Sequence, residues 1–297
     1  MTSAALEATL FGGHDYTVEA MFSGCSLGRA SFDRQHVKVL PYAVPGACSS
    51  VTNPDLSCDY EQWAQMADQW LAANDPSMLS DAKHLVYVLP RGMRTCSWGG
   101  MGWVGCSSHQ GMRCRAWVVG EVADKPMVYV HELAHNLGLN HANMPQLEYG
   151  DSSDAMGLCC DVRCFNAPHL DQLGWANASA ELDTATLPRN QWVTLRLPAA
   201  AAGAAIVGPY LKVSSPAELV FAQLRVKHGH DNGIPGTGVY MYNTDARISF
   251  APTTMYGRLE STKQVFLTGS GVQIKLANDI SPLDTSATLM ACMGMCT

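Results

Sequence analysis

The amino-acid sequence predicts an α+β protein, in which a part with a mixed α/β sheet is followed by a β-rich part. Two observations support this fold class. Before about residue 184, apolar runs of strand length alternate with segments whose apolar residues recur at helical spacing, which is typical of a mixed sheet. After that point, the apolar segments alternate like strands and are separated by turn signals. We therefore predict two domains, residues 1–183 and residues 184–297.

The first predicted elements lie in the N-terminal quarter of the chain. Residues 16–21 and residues 36–40 show partial apolar alternation and are predicted to be neighbouring strands. A helix follows, because apolar residues recur on one face at helical spacing. These residues are Trp63, Met66, Ala67, Trp70 and Leu71. Asp59 is expected to cap the start of this helix with Gln62 reaching back to it, and Pro76 marks its end.

The mixed sheet is predicted from the middle of the first domain. Residues 85–89 are continuously apolar, as expected for a central strand that is covered on both faces. Residues 91–115 are rich in Gly and Cys and are predicted to form a long loop held by disulfides. Residues 116–120 are the next predicted strand, and Asp124 is expected to cap a helix that runs to Leu137.

The β-rich part contains several strand-like segments. Residues 192–197 and residues 272–277 alternate between apolar and polar side chains, and residues 219–227 and 239–242 are also strand-like. Residues 228–231 hold two His and one Asp but lie beside a turn signal. We therefore expect that short segment to be a solvated loop rather than a metal site.

Composition limits the classes of protein to which the chain can belong. It has 297 residues, of which 47% are hydrophobic and 15% charged, so it can bury a sizeable core. The net charge of −7, with only 19 Lys and Arg residues, argues against a nucleic-acid partner held through phosphate contacts. No apolar run approaches the about 20 residues that a bilayer-spanning helix needs. We therefore expect neither a nucleic acid nor a membrane as partner.

The cysteine content predicts the compartment. Eleven cysteines favour an oxidising environment with disulfides, although their pairing cannot be read from the sequence. The start of the chain has neither the basic residues nor the apolar run of a signal peptide. We expect a secreted, extracellular protein whose signal peptide has been removed; the alternative is a cytosolic protein with unpaired thiols. Asn177 opens an N-glycosylation sequon.

One short motif carries most of the chemical information. The segment from His131 to His141 reads HELAHNLGLNH. On a helix, His131 and His135 lie one turn apart on the same face, so that both imidazoles can reach one metal ion. Gly138 can take the left-handed conformation that ends a helix, and the chain can then bring His141 in as a third ligand. Three His ligands leave one position of a tetrahedral zinc site open, which is typical of catalytic sites. The alternative is three histidines on an ordinary helix.

The motif resembles that of the metzincin zinc peptidases, in which a tight turn containing Met forms a hydrophobic floor under the metal. Met156 follows His141 at a plausible distance and matches this turn. Within that clan, the resemblance is closest to the gametolysin family of matrix-degrading peptidases. The matching residues are the helix motif, Glu148-Tyr149-Gly150-Asp151, and Cys164-Phe165-Asn166-Ala167-Pro168 leading into Leu173-Gly174-Trp175.

The resemblance implies a metzincin-like catalytic domain with a twisted mixed sheet and an active-site helix. It also implies a secreted zinc endopeptidase that acts on a matrix or cell-wall glycoprotein rich in proline or hydroxyproline. In such an enzyme Zn²⁺ activates a water molecule, and Glu132 is the general base that moves its proton to the leaving amine. The alternatives are a non-enzymatic matrix-binding protein that keeps the fold, and a zinc hydrolase of a non-peptide bond. The intact Glu132 favours an enzyme.

Several residues near the motif are candidates for supporting roles. Asp151 and Asp154 could orient the ligand imidazoles through hydrogen bonds. Tyr149 is either an extra metal ligand or a wall residue, because Leu158 occupies the position at which some metzincins place a ligating Tyr. A second zinc site is a further possibility, although disulfides are favoured for its residues. Those residues are Cys159, Cys160 and Cys164.

Overall fold

The structure is a computed structural model, which describes residues 1–40, 58–92, 95–106, 112–200 and 208–296. Helices and several sheets occur together in it, so the predicted mixture of α and β structure is confirmed. The chain divides into two compact units, one made of Met1–Ala20 with Ser31–Gly138 and the other of Met21–Ala30 with Leu139–Thr297. The two predicted domains, residues 1–183 and 184–297, stay a prediction.

Six α-helices form among the described residues. They are α1 (Ser3–Phe11), α2 (Val18–Cys25), α3 (Tyr60–Asn74), α4 (Pro76–Asp81), α5 (Pro126–Asn136) and α6 (Ala167–Gln172). Within the described ranges, every helix is too short or too polar to span a lipid bilayer. Helices α3 and α5 confirm the two predicted helices. Their caps differ from the prediction, because Asp59 makes no side-chain capping bond and Lys125, not Asp124, is the N-cap of α5.

Helix α2 replaces the strand predicted for residues 16–21, and residues 36–40 are not in a strand either. The prediction is wrong because four apolar residues in and just after the first segment recur at helical spacing and are buried. These residues are Val18, Met21, Phe22 and Cys25. The hydroxyl of Thr17 accepts a hydrogen bond of 3.1 Å from the main-chain N–H of Ala20, which caps the start of the helix.

The first unit contains a three-stranded sheet in the order β1-β3-β2. Its strands are β1 (His84–Val88), β2 (Gly100–Gly102) and β3 (Cys114–Val118). Strand β3 is parallel to β1 and antiparallel to β2. The strands predicted for residues 85–89 and 116–120 both form, but the expected central position of the first is wrong. In the described sheet β3 is central and buried, whereas His84 and Val86 of β1 are exposed.

The core of the first unit surrounds Trp117, which is fully buried. The Trp117 ring lies edge-on to Tyr60 at 4.9 Å between centroids and stacks on Tyr87 at 5.8 Å. Two disulfides, Cys58–Cys96 and Cys106–Cys114, hold the Gly- and Cys-rich segment, as predicted. That segment also contains strand β2, which its glycine content did not predict.

The second unit contains a six-stranded and a four-stranded sheet. Their strands are β4 (Ala142–Asn143), β5 (Ala180–Asp183), β6 (Val193–Pro198), β7 (Leu211–Ser214), β8 (Glu218–Arg225), β9 (Gly238–Asp245), β10 (Thr253–Leu259), β11 (Val265–Leu267), β12 (Val272–Leu276) and β13 (Ser286–Met293). The orders are β4-β10-β9-β8-β7-β5 and β11-β12-β13-β6. One apolar core takes alternate residues from both sheets, such as Val220, Leu224, Val272 and Ile274.

The four strands predicted in this part are all present, as β6, β8, β9 and β12. The expectation of a solvated loop at residues 228–231 is wrong for its last residue. Asp231 is 3% exposed and lies in a short 3-10 helix, Gly229–Asp231. Its carboxylate binds the guanidinium of Arg225, and a pair of opposite charges can be buried where each satisfies the other.

Candidate metal centre

Helix α5 is almost completely buried and delivers the first two predicted ligands. His131, Glu132 and His135 are each only 5–6% exposed. The end of the helix is anchored by Asn136, whose amide donates to the main-chain carbonyls of Trp103 at 2.9 Å and Arg115 at 3.1 Å. A helix that is buried on all sides is packed against its neighbours all round. The side chains of α5 are therefore held in place.

The helix ends as the sequence predicts. Gly138 has a φ of +112°, and its N–H donates to the carbonyl of His135 at 2.9 Å. A residue with a Cβ would be strained in this conformation. The imidazoles of His131 and His135 lie 4.9 Å apart between ring centroids, as expected for two residues one helical turn apart.

The three predicted ligands come together. His131, His135 and His141 each offer a ring nitrogen, and these nitrogens all lie within 4.8 Å of one another. Three imidazoles are a ligand set that suits Zn²⁺ and leaves a fourth position open. The residues present therefore fit a zinc ion by the chemistry of their donors.

Glu132 has the environment of a group that handles protons. Burial raises the pKa of Glu132 to about 8, because its charged form loses hydration. A cation bound by the neighbouring histidines would oppose that shift. A buried carboxyl of this kind is a candidate for a catalytic acid or base.

Two glycines of β2 allow the strand to lie directly against this part of α5. A Cβ at Gly100 would overlap with the carboxylate of Glu132 and would stand 2.7 Å from its Cγ. A Cβ at Gly102 would overlap with the main-chain carbonyl of Glu132. The strand therefore needs glycine at both positions. The sequence shows only a Gly-rich segment here, so it did not indicate this role.

The residues after His141 support that histidine directly. The Nδ1 of His141 lies 2.6 Å from the Glu148 carboxylate, and the ring of Tyr149 lies 3.9 Å from the imidazole between centroids. Tyr149 therefore contacts a predicted ligand through its ring. Glu148 belongs to the run that resembles the gametolysin family, but no role was predicted for it. The only sequence signal was an acidic residue a few positions after the third histidine.

Met156 is fully buried, and its carbonyl accepts a hydrogen bond of 3.0 Å from the N–H of Ala142, next to His141. Asp154 shapes the turn around it by accepting from the Met156 N–H at 2.5 Å and from Nδ1 of His169 at 3.1 Å. Burial alone would raise the pKa of Asp154. The charge of His169 and the hydrogen bonds to the carboxylate outweigh this effect and lower it.

Asp151 also supports this turn. Its carboxylate accepts from the N–H and the hydroxyl of Ser153 at 2.8 and 2.6 Å and from the amide of Asn166 at 3.2 Å. Burial and the nearby charge of Asp154 raise the pKa of Asp151. The hydrogen bonds of both aspartates thus hold the turn around Met156, and their predicted role in orienting ligand imidazoles stays a prediction.

The second zinc site considered for three cysteines does not form. Cys164 is bonded to Cys25, and Cys159 is bonded to Cys160. Their sulfurs are therefore not thiolates, which zinc binding requires. The sequon residue Asn177 is exposed.

The chain is similar to one known peptidase family and to one curated protein. The model of the family described as gametolysin peptidase M11 matches residues 1–262. The chain is also similar to the autolysin of Chlamydomonas reinhardtii, with 35% identity over 133 residues, in a match that covers 39% of this chain and 20% of the autolysin. The chain thus spans about one fifth of the length of this curated relative. On the extent of the family match, the chain belongs to the gametolysin peptidase M11 family.

Proposed function

We propose that this protein is a secreted zinc endopeptidase that hydrolyses peptide bonds of matrix or cell-wall glycoproteins. The observation that carries the proposal is the grouping of three imidazoles, those of His131, His135 and His141. Their nitrogens suit zinc and leave a position open for chemistry. The buried carboxyl of Glu132 adds the acid-base group that hydrolysis needs.

The mechanism assigns one task to each residue. A zinc ion held by the three histidines would supply a Lewis acid and an activated water molecule as nucleophile. Glu132 accepts a proton from the attacking water and returns it to the amine nitrogen of the leaving peptide. Burial raises the pKa of Glu132, which suits a group that must hold a proton between two steps. Met156 forms the apolar floor of the site.

The substrate and location rest on family resemblance and on the disulfides. We assign residues 1–183 to a metzincin-like catalytic domain and residues 184–297 to a β-rich domain. A relative named autolysin supports a cell-wall or matrix protein as substrate, and we assign it to the proline- or hydroxyproline-rich class. The disulfides Cys25–Cys164 and Cys58–Cys96 support a secreted location.

Metal removal tests the proposal. We expect the purified protein to cleave casein or gelatin, and we expect phenanthroline to reduce the initial rate at least about tenfold, because the Lewis acid and the activated water are lost. Addition of Zn²⁺ in excess of the chelator should restore the rate. Metal analysis of the same sample should find about one zinc per chain.

Two outcomes would contradict the proposal. Cleavage that is unaffected by the chelator would show that hydrolysis does not depend on a metal at the three histidines. A folded, zinc-loaded protein that cleaves neither casein, gelatin nor a proline-rich cell-wall glycoprotein would favour the alternative, a matrix-binding protein that keeps the peptidase fold without the activity.

Gly100 provides a test of how Glu132 is placed. We expect Gly100→Ala to lower kcat by up to about 100-fold, because the new methyl group pushes the Glu132 carboxylate aside by about 1 Å. Zinc content should not change, since no ligand is touched. The matched control is Gly99→Ala, whose Cβ would meet only Val122 at an ordinary distance of 3.6 Å. Equal rates for the two variants would contradict the prediction.

A further inference from the structure

The loop that follows the third histidine has a tightly determined shape. Met144 and Leu147 exchange two main-chain hydrogen bonds of 3.0 Å each. The side-chain oxygen of Asn143 accepts a further bond of 3.0 Å from the N–H of Tyr149. Tyr149 has a φ of +61°, which side-chain-bearing residues rarely adopt. Such a conformation persists only where the surrounding contacts determine it.

Two side chains of this loop contact the imidazole of His141. The Glu148 carboxylate accepts from Nδ1 of His141 at 2.6 Å. The Tyr149 ring covers the imidazole at 3.9 Å between centroids, with 36° between the ring planes. The hydrogen bond holds the imidazole by its edge, and the aromatic contact limits its tilt. Two contacts of different kinds therefore fix the orientation of His141.

The hydrogen bond also decides which nitrogen is available to a metal. A neutral imidazole carries its hydrogen on one nitrogen and a lone pair on the other. An ionised carboxylate can only accept a hydrogen bond. Nδ1 therefore carries the hydrogen in the contact with Glu148, and the lone pair of a neutral His141 lies on Nε2. A metal-bound His whose second nitrogen donates to a carboxylate is fixed in tautomer and is a more basic ligand.

We propose that Glu148 is a positioning residue for zinc binding, which holds His141 in the tautomer and orientation that present Nε2 to the ion. This inference rests on the proposed zinc site. Loss of such a carboxylate typically lowers metal affinity about 10–100-fold. Glu148 therefore affects the enzyme through His141 rather than through the substrate.

The exposure of Glu148 distinguishes its positioning of His141 from a contribution to folding stability. The Glu148 side chain is 66% exposed, and exposed ion pairs contribute little to folding stability. Removal of the carboxylate should therefore leave the metal-free protein folded. The zinc affinity is the quantity that distinguishes positioning from stabilisation.

The test measures the zinc affinity of metal-free protein by competition with a chromophoric chelator. We expect Glu148→Ala to weaken Zn²⁺ binding about 10–100-fold. Glu148→Gln should lose less zinc affinity, because its side-chain oxygen can still accept the hydrogen bond from Nδ1 of His141, although it carries no charge. Glu181, an exposed glutamate of β5, provides the matched control, and Glu181→Ala should bind zinc like the wild type. The Tm of the metal-free variants should stay within about 2 °C of the wild type.

The outcomes are distinguishable. If Glu148→Ala binds Zn²⁺ within about threefold of the wild type, the proposal is overturned. If Glu148→Ala does not fold, Glu148→Met carries the test, because it keeps an unbranched side chain but removes the carboxylate acceptor, and wild-type affinity in that variant likewise overturns the proposal. A wild-type protein that does not bind zinc removes the proposed function as well. A wild-type protein that binds zinc but cleaves nothing contradicts only the peptidase activity, and the affinity ratio still decides the role of Glu148.

Discussion

Glu132→Gln is expected to abolish peptide hydrolysis while leaving zinc binding intact. The amide is close in size to the carboxyl group, so it fits the 5% exposed site of Glu132 beside Gly100. It cannot accept a proton from the attacking water or return one to the leaving amine. A positioned acid-base group contributes about 10²- to 10⁴-fold to a rate, and we expect a loss in this range. Initial rates on casein and metal analysis of the same sample measure the two quantities.

The matched control for this substitution is Glu7→Gln, which makes the same chemical change at an exposed position of α1. This variant should keep the wild-type rate. If Glu132→Gln retains more than a few percent of wild-type activity, Glu132 is not the general base. If it loses zinc as well as activity, its carboxyl group supports the metal site, and the loss of rate no longer measures proton transfer.

The grouping of the three histidines could be predicted from the sequence because it depends on local geometry. His131 and His135 are one turn apart on any helix, and Gly138 ends the helix through a conformation that is intrinsic to glycine. The structure has Gly138 at a φ of +112° and groups the three imidazoles. None of these features depends on a distant part of the chain.

The roles of Gly100 and Glu148 could not be predicted, because they depend on three-dimensional neighbours. Gly100 matters only because β2 lies against α5, which brings residue 100 onto the carboxylate of Glu132. Glu148 matters because a tight loop with Tyr149 at positive φ folds it back onto His141. The sequence shows the residue types but not the loop conformation that gives them a function.

The fold was predicted best where a periodic pattern is long. Strands β6 and β12 alternate between apolar and polar residues, and the apolar residues of helix α3 recur at helical spacing. Residues 16–21 were predicted to be a strand from partial alternation over only six residues, whereas burial of one helical face decides the structure of α2. The order of strands β1 and β3 depends on their partners in the sheet, which an apolar run does not specify.

Arg225→Leu is expected to lower the free energy of unfolding by about 3–5 kcal/mol, the largest stability effect that we predict. Arg225 is fully buried, and its guanidinium binds both carboxylate oxygens of Asp231 and the carbonyls of Ser153 and Cys164. Leucine fills much of the space but leaves the Asp231 charge buried and takes the guanidinium donor from the Ser153 carbonyl. The Cys164 carbonyl keeps its hydrogen bond of 3.1 Å from the N–H of Ala155. Thermal unfolding followed by circular dichroism should show a fall in Tm on the order of 10 °C.

A double variant separates the cost of the unpaired charge from the loss of packing. Arg225→Leu combined with Asp231→Asn removes the buried charge, and the Asn oxygen can still accept the N–H of Cys164, which now donates to Asp231 at 2.9 Å. Because an unpaired buried charge is the main cost of breaking such a pair, the double variant should be more stable than Arg225→Leu alone. If both variants are equally destabilised, the lost contacts to Ser153 and Cys164 carry the effect. If the free energy of unfolding of Arg225→Leu lies within about 1 kcal/mol of the wild type, water enters the site on mutation. The pair of Arg225 and Asp231 then does not hold β8 to the turn around Met156.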